Sequence, residues 1–575
     1  MRALDFVVLL GTMLGIATYG LWRTRGHHSL STYLKGDQTT GWATIGISVM
    51  ATQASAITFI STPGQGYESG IGFVQNYFGM PLALILIAAV FLPMYRRLNV
   101  YTAYEYLGRR FDAKTRLLGA ALFLLQRGLA AGITIYAPAI ILSTVLGWRL
   151  DLTIILSGLL VVIYTVSGGS DAVSLTQKYQ LAVIFGGMIA AFLILLARLP
   201  AHLSITDALT VAGGFHKLEA VDFSLDARRR YTFWSGLMGG LFLSMSYFGA
   251  DQSQVQRYIS GASLREGRLG LMFNAVFKIP MQFFILLLGA LLFVFYQFEE
   301  PPVFFNEAAW HLRMEDKDGA RLRSIENQFA AVHAEKRQLI DAWLAAKHGG
   351  DPKAEADARA RVVAAGEHSQ AVRADAKAAL AKPGSHAKPN DADYVFIHFV
   401  LNHLPHGLIG LLVAAFFAAA LSSKAAELNA LGSTTTIDFY RHIIRRQASD
   451  AHYVAASKCF TLLWGLVALA FALFASLSEN LIQAVNIVGS LFYGVLLALF
   501  IVAFFLRWVG GTAVFWAALV AELTVLVLYH FLDISYLWYN FIGCAACVVL
   551  SLVLEAALGP AKEIPMTSSA RNPAP

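Results

Sequence analysis

Charged residues and cysteines are scarce in this sequence of 575 residues. Asp, Glu, Lys and Arg make up 14% of it, whereas about 25% is usual for a soluble domain. This shortage excludes an ordinary soluble protein. Hydrophobic residues make up 57%, which indicates a helical membrane protein. The net charge of +7 does not indicate nucleic-acid binding, because the basic residues lie in short loops between apolar stretches.

The sequence also lacks the motifs of common enzymes and of ATP-driven pumps. It contains no H-E-x-x-H, G-x-S-x-G or P-loop motif, so neither an intramembrane enzyme nor an ATPase is predicted. The chain has three cysteines, which do not imply a disulfide framework. Cys544 and Cys547 form a C-x-x-C pair inside an apolar stretch. Without a second pair, this pattern is typical of two small apolar helix residues.

Long apolar stretches are abundant, and about 13 of them reach the ~20 residues that a membrane-spanning helix needs. The predicted spans are 4–22, 41–62, 66–95, 116–146, 151–167, 178–198, 231–250, 269–297, 405–440, 453–476, 480–506, 510–531 and 535–557. Basic residues follow alternate spans, such as Arg25 and Lys35 after the first and Arg445 and Arg446 after the ninth. Because Lys and Arg are enriched in cytoplasmic loops, the N-terminus is predicted outside and the C-terminus inside.

One span has a polar centre. Residues 41–66 read GWATIGISVMATQASAITFISTPGQG, with Thr52, Gln53 and Thr58 near the middle. A lipid bilayer tolerates an interrupted helix only where the backbone lines a protein cavity. A polar span interrupted by Gly and Pro therefore indicates a transporter binding site. A helix packed on its neighbours through small residues is the alternative interpretation.

A second unusual span covers residues 405–441, PHGLIGLLVAAFFAAALSSKAAELNALGSTTTIDFYR. Ser422 and Ser423 are consecutive hydroxyls at mid-membrane depth, and Ala419 lies one turn before Ser422. The Ala419 carbonyl and the serine hydroxyls can therefore face one point. Hard cations such as sodium prefer oxygen ligands, and carbonyls and hydroxyls supply them without a buried charge.

Residues 298–404 interrupt this pattern with a hydrophilic, alanine-rich segment. Both of its halves favour helix, so the sequence predicts an external helical hairpin. The first half carries an apolar stripe of Ile325, Phe329, Val332, Leu339, Ile340 and Trp343. A solvated insertion is the main interpretation, and binding of an unknown partner is the alternative.

Taken in order, several motifs resemble the sodium:solute symporter family, which includes bacterial sodium/galactose and sodium/sialic acid transporters. The resemblance covers nearly all of residues 1–557 except 298–392. Its motifs are SVMATQASAITFISTPGQGYESG, TAYEYLGRRFD at 102–112, YTVSGGSDAV at 164–173, QVQRY at 254–258 and DYVFIHFVLNHLPHGLIGLLVAAFFAAALSS at 393–423. The resemblance implies sodium-coupled symport, not catalysis, in a multi-pass protein of the plasma membrane, here a bacterial inner membrane.

The resemblance implies an all-α, leucine-transporter-type core of two inverted five-helix repeats, with one N-terminal and two C-terminal extra helices. The first helix of each repeat is broken, the second break falling near Tyr247–Gly249. The expected regions are an N-terminal span with its loop (1–40), the first repeat (41–198), an external loop (199–230), the start of the second repeat (231–297), the insertion (298–404), the rest of that repeat (405–506), extra spans (507–557) and a disordered tail (558–575).

The resemblance also implies the binding residues. Sodium ligands fall on two carbonyls of the broken helix and three oxygens of the serine-bearing helix, at Ala51, Ala54, Ala419, Ser422 and Ser423. Solute-binding positions fall on Gln53, Thr58, Asn76, Tyr77, Ser244, Tyr247 and Lys278. Several of these differ in type from the galactose transporter's residues, so the predicted solute is a sugar, a polyol or an organic acid.

Two further features concern ions. Positions that bind a second sodium in some family members are Gln177, Ala425 and Ala426 here, so one sodium per cycle is predicted. Lys424 and Glu427 form an i, i+3 pair inside a span, and Arg127 also lies within one. Charged residues inside a membrane span are candidates for an ion path. A purely structural ion pair is the alternative interpretation of these residues. A proton-coupled or sodium-independent carrier and a solute sensor are the alternative functions.

Overall fold

A computed structural model describes residues 1–23, 41–98, 100–315, 319–380, 390–474 and 479–559. Arg25 and Lys35, which contribute to the predicted topology, lie outside the described residues, as does residue 560 onward of the predicted disordered tail. Within those ranges the chain is helical and has no strand.

The helices have the following bounds: α1 Ala3–Arg23, α2 Trp42–Gln53, α3 Ala56–Ser69, α4 Met80–Leu86, α5 Leu92–Leu98, α6 Ala103–Arg110, α7 Ala113–Leu146, α8 Leu150–Ala197, α9 Ile205–Gly214, α10 Gly240–Gly249, α11 Gln252–Ile259, α12 Leu264–Phe298, α13 Glu307–Met314, α14 Gly319–Gly349, α15 Pro352–Leu380, α16 Ala392–His403, α17 Leu408–Thr434, α18 Asp450–Phe474, α19 Leu481–Phe505, α20 Gly511–Phe531 and α21 Tyr536–Leu558. A 3₁₀ segment covers Gly70–Tyr77, and π-helical turns cover Ile87–Phe91, Ser235–Gly239 and Thr435–Ile444.

Nine of the helical segments within the described ranges are long and apolar enough to cross a membrane, and two shorter apolar stretches accompany them. One of these stretches, Leu150–Val166, and one long segment, Tyr179–Ala197, belong to the single helix α8. The predicted spans at 151–167 and 178–198 match these two apolar segments, and the structure differs only in joining them by helix where the sequence analysis leaves a gap. A helix of this length extends about 70 Å at 1.5 Å per residue, so its two apolar stretches remain distinct.

Two helices are broken, as the family resemblance implies. The first break separates α2 from α3 at Ala54 and Ser55. The second separates α10 from α11 at Ala250 and Asp251, just beyond the predicted Tyr247–Gly249. The shift has a local cause, because the Asp251 side chain caps α11 by accepting a hydrogen bond from the Ser253 N–H. The predicted position is therefore wrong by one to two residues.

Small residues allow α3 to approach its neighbours closely. A side chain on Gly66 would collide with the Leu286 carbonyl, and one on Gly289 would collide with the Pro63 carbonyl, so α3 and α12 pack backbone against backbone. On another face, a side chain on Gly64 would collide with the carbonyl of Ala392 in α16. These contacts fix the half of the first broken helix that leads away from the break.

The insertion contains two long helices, α14 and α15, which pack along each other as a hairpin, and its external location stays a prediction. The apolar stripe of the first half is buried at Ile325, Phe329, Val332, Ile340 and Trp343, and Leu339 is partly buried. Part of the stripe joins the main hydrophobic core of the protein, because Ile340 and Trp343 belong to it and Trp343 fills the space beside Gly214. We call the face of the molecule that carries the hairpin the insertion side.

Candidate functional site

The first helix break exposes backbone carbonyls. Because the last carbonyls of a helix have no partner within it, the end of α2 at Gln53 releases the carbonyl of Ala51 from the helical pattern. Ala54 lies between the two helices with ψ near 63°. Both residues are buried. The break therefore presents carbonyl oxygens inside the protein, where a cation can bind them.

The hydroxyls of α17 are arranged in a complementary way. Ser422 Oγ lies 3.2 Å from the Ala419 carbonyl and 2.9 Å from Gln180 Oε1, and Ser423 Oγ donates to the Ala420 carbonyl at 3.2 Å. A hydroxyl that donates its proton retains acceptor lone pairs. Both serines and Ala419 are buried, and α17 packs against both α2 and α3. Carbonyls and hydroxyls are the ligand types that a sodium ion prefers, and the assignment of these five residues as its ligands stays a prediction.

A cavity of about 90 Å³ adjoins the break. Six of the seven predicted solute residues line it: Gln53, Thr58, Asn76, Tyr77, Ser244 and Tyr247. The remaining wall consists of Thr52, Ser55, Ile57, Arg127, Thr134, Leu243, Glu427, Ile482, Val485, Asn486 and Tyr493. The cavity is therefore formed by both broken helices together with α7, α17 and α19.

Lys278, the seventh predicted residue, lies behind this wall. Its Nζ is 5.2 Å from the ring centroid of Tyr77, which lines the cavity. The side chain is buried, and Nζ has no hydrogen-bond partner among the described residues. Burial of a polar group without a partner is unfavourable, so Lys278 is an unsatisfied donor close to the cavity.

A network of charges surrounds the other side of the cavity. Arg127 Nη2 donates to Asp251 Oδ2 and, at 2.8 Å, to Tyr493 Oη. Arg127 Nη1 lies 3.5 Å from Glu427 Oε1, and Lys424 Nζ donates to the other oxygen of Glu427. Two cations thus face two carboxylates, and their charges balance. This is the arrangement of a structural ion network, and the ion-path role of Arg127, Lys424 and Glu427 stays a prediction.

Hydrogen bonds hold two of the solute-site side chains in place. Gln254 Nε2 donates to Tyr247 Oη at 2.6 Å, and the Arg127 guanidinium lies 5.4 Å from the Tyr247 ring centroid. Asn76 Oδ1 accepts a hydrogen bond from Tyr536 Oη at 3.2 Å. The orientations of these groups are therefore determined by the surrounding helices rather than by solvent.

The sequence analysis missed Asp251, Tyr493, Thr134 and Asn486. Only Asp251 carries a usable signal, because an acidic residue two positions after Gly249, at the end of the predicted span 231–250, is a functional candidate. The other three residues lie in apolar helical patterns whose cavity-facing side depends on packing. The positions of the second sodium site are also visible: Gln177 Oε1 accepts from Ser48 Oγ at 3.0 Å, and Ala425 and Ala426 are buried apolar residues.

Hydrogen bonds on the insertion side join α3, α16 and the start of α19, next to residues that line the cavity. Asp393 of α16 accepts from the Ser61 hydroxyl of α3 and from the backbone N–H of Leu481 at 3.2 Å. Asn480 Nδ2 donates to Gln65 Oε1 at 2.5 Å. The helices that carry the bonded residues also line the cavity. Thr58 lines it one turn before Ser61 in α3, and the first turn of α19 lines it next to Leu481. The bonded residues Ser61 and Leu481 are therefore within one helical turn of the cavity wall.

A model of the sodium:solute symporter family matches residues 33–309 and 373–521, which is more than half of the chain. This chain belongs to the sodium:solute symporter family. The symporter is therefore a multi-pass membrane transporter coupled to sodium and not an enzyme. The match omits residues 310–372, which include all of α14 and most of α15.

Relatives of the symporter carry different cargoes. It is 32% identical to the human sodium/iodide cotransporter over 298 residues, 51% of this chain and 46% of that protein. It is 26% identical to sodium-coupled monocarboxylate transporter 2 of Bos taurus over 525 residues, 88% of this chain and 70% of that protein. It is 24% identical to the sodium/sialic acid symporter of Proteus mirabilis (strain HI4320), covering 98% and 97% of the two chains.

The fold agrees with that of a solved relative. A substrate-bound, outward-open structure of a Na⁺-coupled sialic acid symporter superposes with a TM-score of 0.73 and 23% identity, covering 98% of this chain and 100% of that chain. The predicted fold class, an all-α polytopic protein with a leucine-transporter-type core, is confirmed. The predicted site residues remain predictions.

Proposed function

We propose that the symporter uses sodium bound at Ala51, Ala54, Ala419, Ser422 and Ser423 to import a small polar organic solute held in the adjoining cavity. One observation carries this proposal. Ala51 and Ala54 flank Thr52 and Gln53, which line the cavity, so a single helix break serves both ligands. A sodium ion bound between this break and α17 would stabilise the conformation of the break that binds the solute. Inward release of sodium would then release the solute as well.

The polar groups around the cavity favour an organic acid over a neutral sugar or polyol. Three buried nitrogen donors have no hydrogen-bond partner in the described part of the chain: Lys278 Nζ, Arg127 Nε and Asn486 Nδ2. The only cavity-wall acceptor in the same condition within that part is Gln53 Oε1. Because the Arg127 network is neutral, Lys278 adds one positive charge next to the cavity when it is protonated. An anionic solute that is rich in acceptors would compensate these donors.

The relatives and the cavity size support the same solute class. Iodide, monocarboxylates and sialic acid, for which three relatives are named, are anions at neutral pH. A cavity of about 90 Å³ holds roughly six to nine water-sized positions, at about 10–15 Å³ each. This space suits a short-chain carboxylate better than a nine-carbon sugar acid.

The energy of one sodium ion is sufficient for uptake. Moving one positive charge inward through 100 mV releases about 2.3 kcal/mol, and a tenfold sodium gradient adds about 1.4 kcal/mol. These terms together sustain a several-hundredfold gradient of a neutral solute. With a monoanion and one sodium, no net charge moves, and about a tenfold gradient remains. Dependence of uptake on membrane potential therefore distinguishes the two solute types.

We further propose that the insertion side faces the outside of the cell and that the C-terminus is cytoplasmic. The enrichment of Arg and Lys after the first, third, seventh and ninth predicted spans supports this orientation. Large hydrophilic segments translocate regardless of charge, so the basic residues of the hairpin do not oppose it. The sodium and the solute would then enter the site from the hairpin's face.

The experiment is uptake of radiolabelled short-chain carboxylates, sugars and polyols into proteoliposomes with and without a sodium gradient. Ser423→Ala should abolish the stimulation by sodium. Ser433→Ala is the matched control, because Ser433 is also buried in α17 and donates to a carbonyl three residues earlier, at 3.0 Å. It should leave the stimulation unchanged.

Other outcomes would identify other functions. Uptake driven by a proton gradient would indicate a proton-coupled carrier, and uptake independent of any ion would indicate a carrier without ion coupling. Solute binding without transport would indicate a sensor. Unchanged sodium stimulation in Ser423→Ala would show that the ion site has been assigned to the wrong residues.

A further inference from the structure

Arg373, near the C-terminal end of the hairpin helix α15, makes several contacts with the transport core. Its Nη2 donates to Asp391 Oδ2 at 2.7 Å, and its Nε donates to the Val303 carbonyl at 3.2 Å. Nη1 lies 3.4 Å from Tyr67 Oη, and the guanidinium carbon lies 5.2 Å from the ring centroid of Phe305. One side chain thus joins the hairpin to three separate segments.

Lys377, one turn further along α15, binds the same region. Its Nζ lies 3.3 Å from Glu68 Oε1 and 3.1 Å from Asp391 Oδ1. The Glu68 backbone carbonyl also accepts a hydrogen bond from Lys217 Nζ. Glu68 and Asp391 are therefore bridged by a cation of the hairpin, although the two acids lie more than 300 positions apart in the sequence.

These partners belong to the elements that adjoin the cavity on the insertion side. Tyr67 and Glu68 form the last turn of α3, whose first turn lines the cavity at Ile57 and Thr58. Asp391 directly precedes α16, whose Asp393 bonds to Ser61 and to the start of α19. Movement of α3 away from α16 would break the bridges and open the cavity on the insertion side.

The other end of the hairpin is also anchored. His348 Nε2 lies 2.9 Å from Asp207 Oδ1, and Lys347 Nζ donates to Thr210 Oγ1 at 2.5 Å. Both partners belong to α9, which packs against α12. The hairpin is therefore fixed at two places and acts as a brace instead of a free appendage.

The family match ends at residue 309 and resumes at residue 373. Arg373 and Lys377 thus stand where the additional segment rejoins the family core. We propose that the hairpin is an external latch, and that Arg373 and Lys377 are positioning residues that stabilise the symporter in the form closed on the insertion side. This inference rests on the proposed import of a solute from the insertion side, and its test does not require transport.

Burial strengthens the latch. Asp391 is fully buried. Burial acts to raise the pKa of Asp391, but Arg373 and Lys377 outweigh it and lower that pKa, so the carboxylate stays ionised. Loss of either cation leaves a buried charge with less compensation, which is costly. The closed form would lose this stabilisation, and the open form would become more populated.

The test measures access to the cavity. Val485→Cys, in the cavity wall, is introduced into a Cys459→Ser background, because Cys544 and Cys547 are buried. The purified full chain is labelled with a membrane-impermeant maleimide from the insertion side. Arg373→Ala should raise the labelling rate about tenfold, which corresponds to about 1.4 kcal/mol. Arg373→Lys should restore part of the slow rate, and Arg361→Ala, at an exposed position of the same helix, should change nothing.

Glu68→Gln is a second variant, which removes the charge of one of the two acids that Lys377 contacts. It should also accelerate labelling.

In transport assays, Arg373→Ala should lower both the half-saturating external solute concentration and the maximal rate, because more molecules are open but closure is slower. The latch is refuted if Arg373→Ala and Glu68→Gln both label at the parental rate. If Arg373→Ala fails to fold, the parental rate in Glu68→Gln alone refutes it.

Discussion

Arg127 of α7 and Asp251 at the second helix break form a buried ion pair beside the solute cavity. Tyr493 of α19 joins them, donating to Asp251 Oδ2 at 2.9 Å. Asp251 also caps α11 through the Ser253 N–H and hydroxyl, at 2.9 and 2.6 Å. A single carboxylate therefore determines where the second helix breaks and fixes the cavity wall to that break.

Breaking this pair should be strongly destabilising. Arg127→Gln leaves Asp251 as a buried charge without its principal partner, and we expect a loss of about 3–5 kcal/mol. The thermal midpoint of the purified protein measures the effect. Asp251→Asn should cost a similar amount, and the double variant should cost clearly less than the sum of the two, because neither charge then remains unpaired. Additive losses would show that the two side chains do not depend on each other.

Lys278→Met should weaken the binding of an anionic solute. Removal of a charge-assisted hydrogen bond costs about 1.5–3 kcal/mol, so the half-saturating concentration of a transported carboxylate should rise roughly tenfold to a hundredfold. The affinity for sodium alone should change little. Phe277→Leu, at the exposed neighbouring position, is the control. An unchanged half-saturating concentration in Lys278→Met would remove this lysine from the solute site.

Gly64→Ala should disturb the closed insertion side. The new methyl group would collide with the Ala392 carbonyl, so α3 and α16 must separate. Overpacking of this kind costs about 1–3 kcal/mol, and labelling at Val485→Cys should accelerate. Gly186→Ala is the matched control, since a methyl group there meets no atom within 4 Å. Equal labelling rates in the two variants would contradict the close contact at Gly64.

The hairpin should become more stable as pH rises above 8. Burial, with a smaller effect of Arg373, lowers the pKa of Lys336 from 10.5 to about 8. Between these values the folded state releases a proton that the unfolded state retains, so stability increases with pH. Below pH 8 both states are protonated, and the full penalty for burying the charge remains.

Thermal midpoints at pH 7.5 and 9.5 test this dependence. Lys336→Met should melt higher than the parent at pH 7.5, because it removes the buried charge, and should gain less between the two pH values. Lys353→Met, at an exposed position, should follow the parent at both values. An identical pH response in the parent and in Lys336→Met would exclude this lysine as the cause.

Sequence patterns were sufficient for the elements that depend on local composition. The polar centre at Thr52 and Gln53 and the paired hydroxyls at Ser422 and Ser423 identified the two helices that meet at the candidate ion site. Apolar length gave most of the spans, and the helix propensity of an alanine-rich hydrophilic segment gave the hairpin. These features arise from the neighbouring residues in the chain, so a single sequence contains them.

Features that depend on distant contacts were not predictable. The ion pair of Asp251 with Arg127 on α7 and its hydrogen bond with Tyr493 on α19 join residues that the sequence does not bring together. Glycines between two apolar runs predict an interruption of the helix, whereas α8 is continuous there. The contacts of Arg373 join segments whose proximity follows only from the packing of α3 against α16. Such positions require the tertiary structure.

Inverted repeats tend to give the two faces of a carrier equivalent architecture, and α14 and α15 remove that equivalence because they attach to one face only. With no gradient present, the two alternating forms then differ in free energy. The ion and solute gradients alone still fix the final accumulation ratio. The half-saturating solute concentrations measured from opposite faces will differ, since each reflects the fraction of molecules open to that face.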